Sequence, residues 1–172
     1  MALLLLASIP VYATIVRHVP LEEQARSADA VVVAVAGNQS CSFGAGGGII
    51  YTDTRFTVER WVKGQGGARV TSRQLGGVVG DIGQSVSGSP VFETGSRYVL
   101  FLEARGDGFY RVVGFSQGAY PVVNAPGGGR RVMPRLASAA GMELVGVDRD
   151  GQMAPQPLEE FLATVRGYLG ED

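Results

Sequence analysis

Ala30-Val31-Val32-Val33-Ala34-Val35-Ala36 is the stretch on which the reading of this chain turns. β-branched side chains lose χ1 freedom in a helix and pack well on a pleated surface, so this valine run reads as a strand. It carries no polar alternation, which marks a strand buried on both faces or set in a barrel wall. Arg97-Tyr98-Val99-Leu100-Phe101-Leu102-Glu103 is the most apolar strand, with Tyr98, Leu100 and Leu102 on one face and Val99 and Phe101 on the other.

Outward from these two segments the period stays at two. Ile49 to Lys63 reads as a long strand whose even positions Ile50, Phe56, Val58 and Val62 point one way. Its odd positions Asp53, Arg55, Thr57 and Glu59 point to water, and Trp61 stands on that otherwise polar face. Lys63 to Gly67 is a turn, and Ala68 to Leu75 is a further strand, polar on one side. Gly106-Asp107-Gly108 turns the chain into Phe109 to Phe115, because Asp-Gly tolerates positive φ. Tyr120 to Asn124 is a strand, while Asn38–Gly48, the glycine-rich Gly76–Pro90 and most of Met133–Pro155 read as loops.

Helical signals stand only at the two ends. Pro20 to Asp29 reads as a short helix, with Glu22 and Glu23 matching the positive end of the helix dipole. Leu158, Phe161, Leu162, Val165 and Leu169 lie at helical spacing, so the sequence predicts an amphipathic helix over 157–169 that covers an open end or an exposed edge of a barrel. The chain is 172 residues long and shows no internal repeat, so 14–172 reads as a single β-barrel domain.

The first thirteen residues read as a targeting segment. Ala2 to Ala7 is apolar, and Val11-Tyr12-Ala13 places small residues where signal peptidase needs them. Cleavage after Ala13 makes Thr14 the mature N-terminus and the protein exported, periplasmic or secreted. Pro10 interrupts the apolar run, which is shorter than the roughly 20 residues that cross a bilayer. Cys41 is the only cysteine, so no intramolecular disulfide forms, and it reads as a loop thiol. The net charge of −1, with no stretch concentrating Lys and Arg, argues against a nucleic-acid partner or an anionic membrane surface.

Three segments together resemble a known group. Asp29-Ala30-Val31-Val32-Val33, then Tyr51-Thr52 leading into Phe56-Thr57-Val58-Glu59-Arg60-Trp61-Val62-Lys63-Gly64, then Gly95-Ser96-Arg97-Tyr98-Val99-Leu100-Phe101-Leu102, look like a widespread group of exported bacterial proteins. That pattern is similar to netrin-like domains and tissue inhibitors of metalloproteinases, and it covers roughly Ala28 to Val123. The resemblance implies an OB-like antiparallel barrel of about five strands. It also implies a protein partner, with a metalloprotease as the candidate. Those inhibitors chelate the protease metal through an N-terminal cysteine tied by a disulfide, whereas this chain carries Thr14 there. On that pattern the free amine and carbonyl of Thr14 reach the metal.

Catalytic chemistry finds little footing, and the chain reads as no enzyme. His18 is the only histidine, near the expected mature N-terminus, and Gly83-Gln84-Ser85-Val86-Ser87 lacks the final glycine of a nucleophile elbow. One His and one Cys supply no zinc cluster. Asp148-Arg149-Asp150-Gly151 lacks the third oxygen ligand of a calcium loop and reads as a turn. Neither Gly44–Gly48 nor Gly76–Gly83 carries the lysine of a phosphate loop, and no cofactor is expected. Arg105-Gly106-Asp107 is what turn chemistry selects at a hairpin tip. The sequence therefore points to an exported binding module, with Thr14 and Trp61 as candidate partner contacts; Trp61 reads equally as a barrel residue packed under the terminal helix. The alternative is a structural or assembly component of the cell envelope.

Overall fold

The computed structural model describes residues 14–134, 142–145 and 154–170, with the backbone alone described at 14–16 and 142–145. In chain order the elements are β1 (Thr14–Arg17), α1 (Leu21–Ser27), β2 (Ala30–Phe43), β3 (Ile50–Lys63), β4 (Arg69–Leu75), β5 (Gly77–Val79) and β6 (Ile82–Gln84). They continue as β7 (Arg97–Ala104), β8 (Tyr110–Val112), β9 (Ala119–Asn124), β10 (Arg130–Val132), β11 (Met142–Val145), β12 (Gln156–Pro157) and α2 (Leu158–Leu169).

Five of these strands close on themselves in the order β2-β3-β4-β8-β7, with β7 pairing back onto β2. This is the OB-like barrel expected from the sequence. It is mixed rather than fully antiparallel: β4 meets β8 in parallel, through the single pair Ser72 and Tyr110. The free edge of β7 is shared. Its second half, Leu102–Ala104, pairs with β8, and its first half, Arg97–Leu100, pairs with β9, which carries the sheet on to β10 and β12.

That fork explains why β2 and β7 are apolar on both faces. Val32, Ala34, Tyr98, Leu100 and Leu102 point into the barrel with Phe56, Val70, Phe92 and Val112. Val31, Val33, Val99 and Phe101 point outward, into a second core with Ala25 and Ala28 at α1, Tyr120, Val122 and Val132 from β9 and β10, and Leu158, Phe161, Leu162 and Val165 of α2. The terminal helix has the predicted apolar stripe. It stops at Gly170, whose φ of 71° is the left-handed cap that glycine accommodates. It covers a face of the sheet, however, not an open end or an edge, because Val31, Val33, Val99 and Phe101 need that cover.

Other expectations change with the register. Asn38–Gly48 is not a loop throughout: β2 continues to Phe43 and pairs with β3 as far as Ile50, leaving only the hairpin tip. The extension passes through a bulge between Ala36 and Gln39, where a Cβ on Gly37 would stand 2.9 Å from the Arg55 carbonyl oxygen, so the bulge requires glycine. Gly76–Pro90 contains the small β5–β6 hairpin. The strict alternation read along β3 fails near its end. Val58 pairs with Ala34, Arg60 with Val33 and Trp61 with Val32, so Glu59 is an extra residue that shifts the parity. Trp61 thereby packs against the barrel core, and Val62 joins the helix-side core. Within Met133–Pro155, read as mostly irregular, Met142–Val145 forms β11 and pairs in parallel with β1. The Asp148–Gly151 turn lies outside the described residues.

Candidate binding groove

The helices cover the β2–β7 side of the barrel and leave the β4–β8 side bare. Over that side runs a groove of about 640 Å³, bounded by the β2–β3 hairpin tip, the ends of β3 and β4, the β7–β8 hairpin and the turn after β8. Phe43, Tyr51, Phe109 and Phe115 bring rings to it, and Arg73, Arg105, Arg111 and Asp107 bring charge.

Backbone geometry builds the aromatic rim. Val113 N–H donates to the Phe101 carbonyl, Phe101 N–H donates to the Gly118 carbonyl, and Gly118 N–H donates to the Val113 carbonyl at 3.0 Å. The chain thus leaves β7 at Val113 and rejoins it at Gly118, and the residues between loop outward. Phe115 sits in that loop with φ of 62°, the only non-glycine residue in the left-handed region among the described residues. A bulky residue there costs on the order of 1–3 kcal/mol, yet the Phe115 ring remains 46 % exposed. Across the groove Phe43, at the end of β2, is 43 % exposed.

The charges are arranged on the floor and wall. Arg73 donates from Nε and Nη2 to the two carboxylate oxygens of Asp53, each at 2.7 Å. Its guanidinium stacks on Phe109, with Cζ 3.5 Å from the ring centroid, and lies 5.6 Å from that of Tyr51. The Asp53 carboxylate holds the Arg73 guanidinium above its ordinary pKa, chiefly through these hydrogen bonds. Arg111 donates to Glu103 at 2.6 Å. Asp107 turns back on its own loop, accepting from Phe109 N–H at 3.2 Å, with its other oxygen 3.8 Å from Arg73. Arg105 has no side-chain partner among the described residues. The Arg105-Gly106-Asp107 tripeptide is therefore a hairpin turn, and Arg105 and Asp107 line the groove.

The sequence-predicted contacts lie elsewhere. Thr14 opens β1 and pairs with Met142. Trp61 is half-buried, packs over Gly66 and donates from Nε1 to the Gly67 carbonyl at 3.3 Å. The structure brings neither residue to the groove. Cys41 is a strand residue rather than a loop thiol: it is exposed on β2, its Sγ 3.3 Å from Thr52 Oγ1. His18 is half-buried beside α1, and its Nδ1 is buried without a partner among the described residues. The groove escaped the sequence reading because its residues come from four separate segments. Two signals were present: the aromatic pair Phe109 and Phe115 around a short strand, and Arg105 and Asp107 at its turn.

Among the described residues, no helix is long and apolar enough to cross a membrane. No protein-family model matches the chain, and no curated protein matches it either.

Proposed function

We propose that this chain is an exported, non-enzymatic binding module whose groove over the β4–β8 wall receives a segment of a protein partner. The observation that carries this reading is the aromatic groove on a side of the barrel that the described helices leave bare. Counted around the barrel, β3 and β4 are the second and third strands, and the groove's rims are the first–second and fourth–fifth connections. OB barrels take ligands on that face and between those loops. A protein partner fits better than nucleic acid. The net charge is −1, and two of the groove's three arginines are already neutralised by carboxylates. Phe43 and Phe115 are the kind of exposed rings that anchor protein interfaces.

Co-purification from the extracytoplasmic fraction of the native host tests the reading, with wild type compared against the Phe43→Ser/Phe115→Ser double variant. A partner recovered with wild type and lost with the variant is the expected result. Recovery of the same stable assembly with both chains favours the structural role in the envelope. Intact-mass measurement of the exported protein checks for an N-terminus at Thr14, and a species retaining Met1 there excludes cleavage.

Protease inhibition is the narrower form of the same proposal. After cleavage Thr14 carries a free amine beside a carbonyl, and together these form a five-membered metal chelate. Its pairing with β11 supplies a backbone tether where the inhibitors use a disulfide. The check is metalloprotease inhibition by the mature chain against a chain with one extra residue before Thr14. Equal inhibition by both removes the chelation mechanism, and no inhibition by either removes the protease as partner.

A further inference from the structure

We infer that the groove recognises a carboxylate-bearing segment of its partner, with Arg105 as the hook and the Phe43 and Phe115 rings as the shelf beside it; this rests on the groove being the binding site. Three guanidiniums reach the groove, and two are committed. Arg73 spends its fork on Asp53, and Arg111 spends its own on Glu103. Arg105 has no carboxylate within reach among the described residues. Asp107, two positions along, faces its own turn and Arg73.

The base of Arg105 is nonetheless fixed. Its N–H donates to the Phe109 carbonyl at 2.7 Å, and its carbonyl accepts from Gly108 N–H at 3.1 Å. An unpaired guanidinium on a rigid turn, beside exposed rings, complements a planar anion flanked by apolar side chains. Arginine's fork matches a carboxylate with two parallel hydrogen bonds, and partial exclusion of water by the rings strengthens them. A phosphate polymer or an anionic lipid surface would call on several free cations, and among the described residues the groove offers one.

The test is selection of a random heptapeptide library on the full mature chain, each peptide displayed between scaffold segments so that no chain terminus is free. Recovered peptides are then synthesised with amidated ends. The expected peptides carry Asp or Glu next to an aromatic or large aliphatic residue, and they lose about tenfold in affinity for Arg105→Gln. Replacing the peptide's carboxylate by its amide costs the same with wild type and little with the variant, as a double-mutant cycle requires for a direct pair. Peptides that need Phe115, shown by loss on Phe115→Ser, but ignore Arg105→Gln overturn the inference and leave the groove standing. No Phe115-dependent peptide overturns both.

Discussion

The β2–β7 wall and the β4–β8 wall belong to one barrel, yet they treat their outward positions in opposite ways. On the first, Val31, Val33, Val99 and Phe101 face out and are at most 2 % exposed, because α1, α2 and the β9–β10 extension lie over them. On the second, the outward positions near the groove include Tyr51, Asp53, Arg73 and Arg111, and the rim adds exposed Phe43 and Phe115. A residue that points outward and is apolar thus reports cover. An exposed ring next to an ion-paired arginine reports a surface left open. The same strand period supports both, so stability is concentrated on one side, and the other is left open for the proposed binding.

The largest effects should come from the covered side. Leu100→Ala removes a fully buried side chain inside the barrel, and Phe161→Ala removes the α2 ring stacked edge-on near Phe101 and Tyr120. Leu100→Ala should cost about 2–5 kcal/mol and Phe161→Ala about 3–5 kcal/mol, read by denaturant unfolding. A Phe161→Ala cost below about 0.5 kcal/mol, within the surface range, would mean that α2 does not seal this wall.

Tyr120 sharpens the contrast next. Its hydroxyl donates to Gln24 Oε1 at 3.0 Å, and Gln24 Nε2 donates to the Val19 carbonyl at 2.7 Å. Burial beneath the helices pushes the phenol from 10.0 up to about 12. A raised folded pKa means that the neutral phenol stabilises the fold fully below about pH 10, and that this contribution is lost as pH rises from there toward 12. Alkaline titration of unfolding should show a loss of roughly 2–3 kcal/mol across that window. Tyr120→Phe should abolish that loss while costing about 1–3 kcal/mol at neutral pH, since it strands Gln24 Oε1. An unchanged alkaline slope in the variant would assign the transition to other groups.

The covered wall was legible in the sequence and the open one was not. Ala30–Ala36 and Arg97–Glu103 announced strands by unbroken apolar runs, and Phe161, Leu162 and Val165 announced the helix by period. Burial leaves such local signatures. Strand continuation through Gln39–Phe43 was hidden because Asn38, Gln39, Ser40 and Ser42 are polar and exposed, so no alternation marks a strand. Trp61 was misplaced because the extra residue Glu59 reverses parity, and a bulge has no local pattern. The groove was hidden for a different reason. Phe43 and Arg73 are far in sequence from Arg105 and Phe115, which flank β8, and only barrel closure through Ser72 and Tyr110 gathers them.

Phe115 tests whether the open wall holds strain that the covered wall does not. At φ of 62° glycine is relaxed and alanine is not, so the usual order of these residues should invert. Phe115→Gly should be more stable than Phe115→Ala by about 1 kcal/mol, while both lose partner binding alike. Equal stability of the two variants would show a turn without strain.

The smallest effect belongs to the ion pairs at the sheet surface. Glu59, the bulge residue of β3, accepts from Arg97 Nε and Nη2, each at 2.7 Å, and lies 3.3 Å from Arg130 Nη1. It therefore links β3 to β7 and β10. Hydrogen bonds from Arg97 foremost, with the charges of Arg97, Arg130 and Arg60, hold its carboxyl below the ordinary 4.5. A depressed folded pKa contributes stability that is present above about pH 4.5 and is lost as pH falls through the folded value. The side chains of Glu59 and Arg97 remain 31 % and 21 % exposed, so solvent screening reduces the pair to a few tenths of a kcal/mol. Glu59→Gln should lower stability by that amount at pH 7 and flatten the acid slope below about pH 4.5. Added salt should shrink the difference further, because the pair is partly exposed. If Glu59→Gln instead cost as much as Phe161→Ala, this surface network would rank with the helix-side core in holding the covered wall.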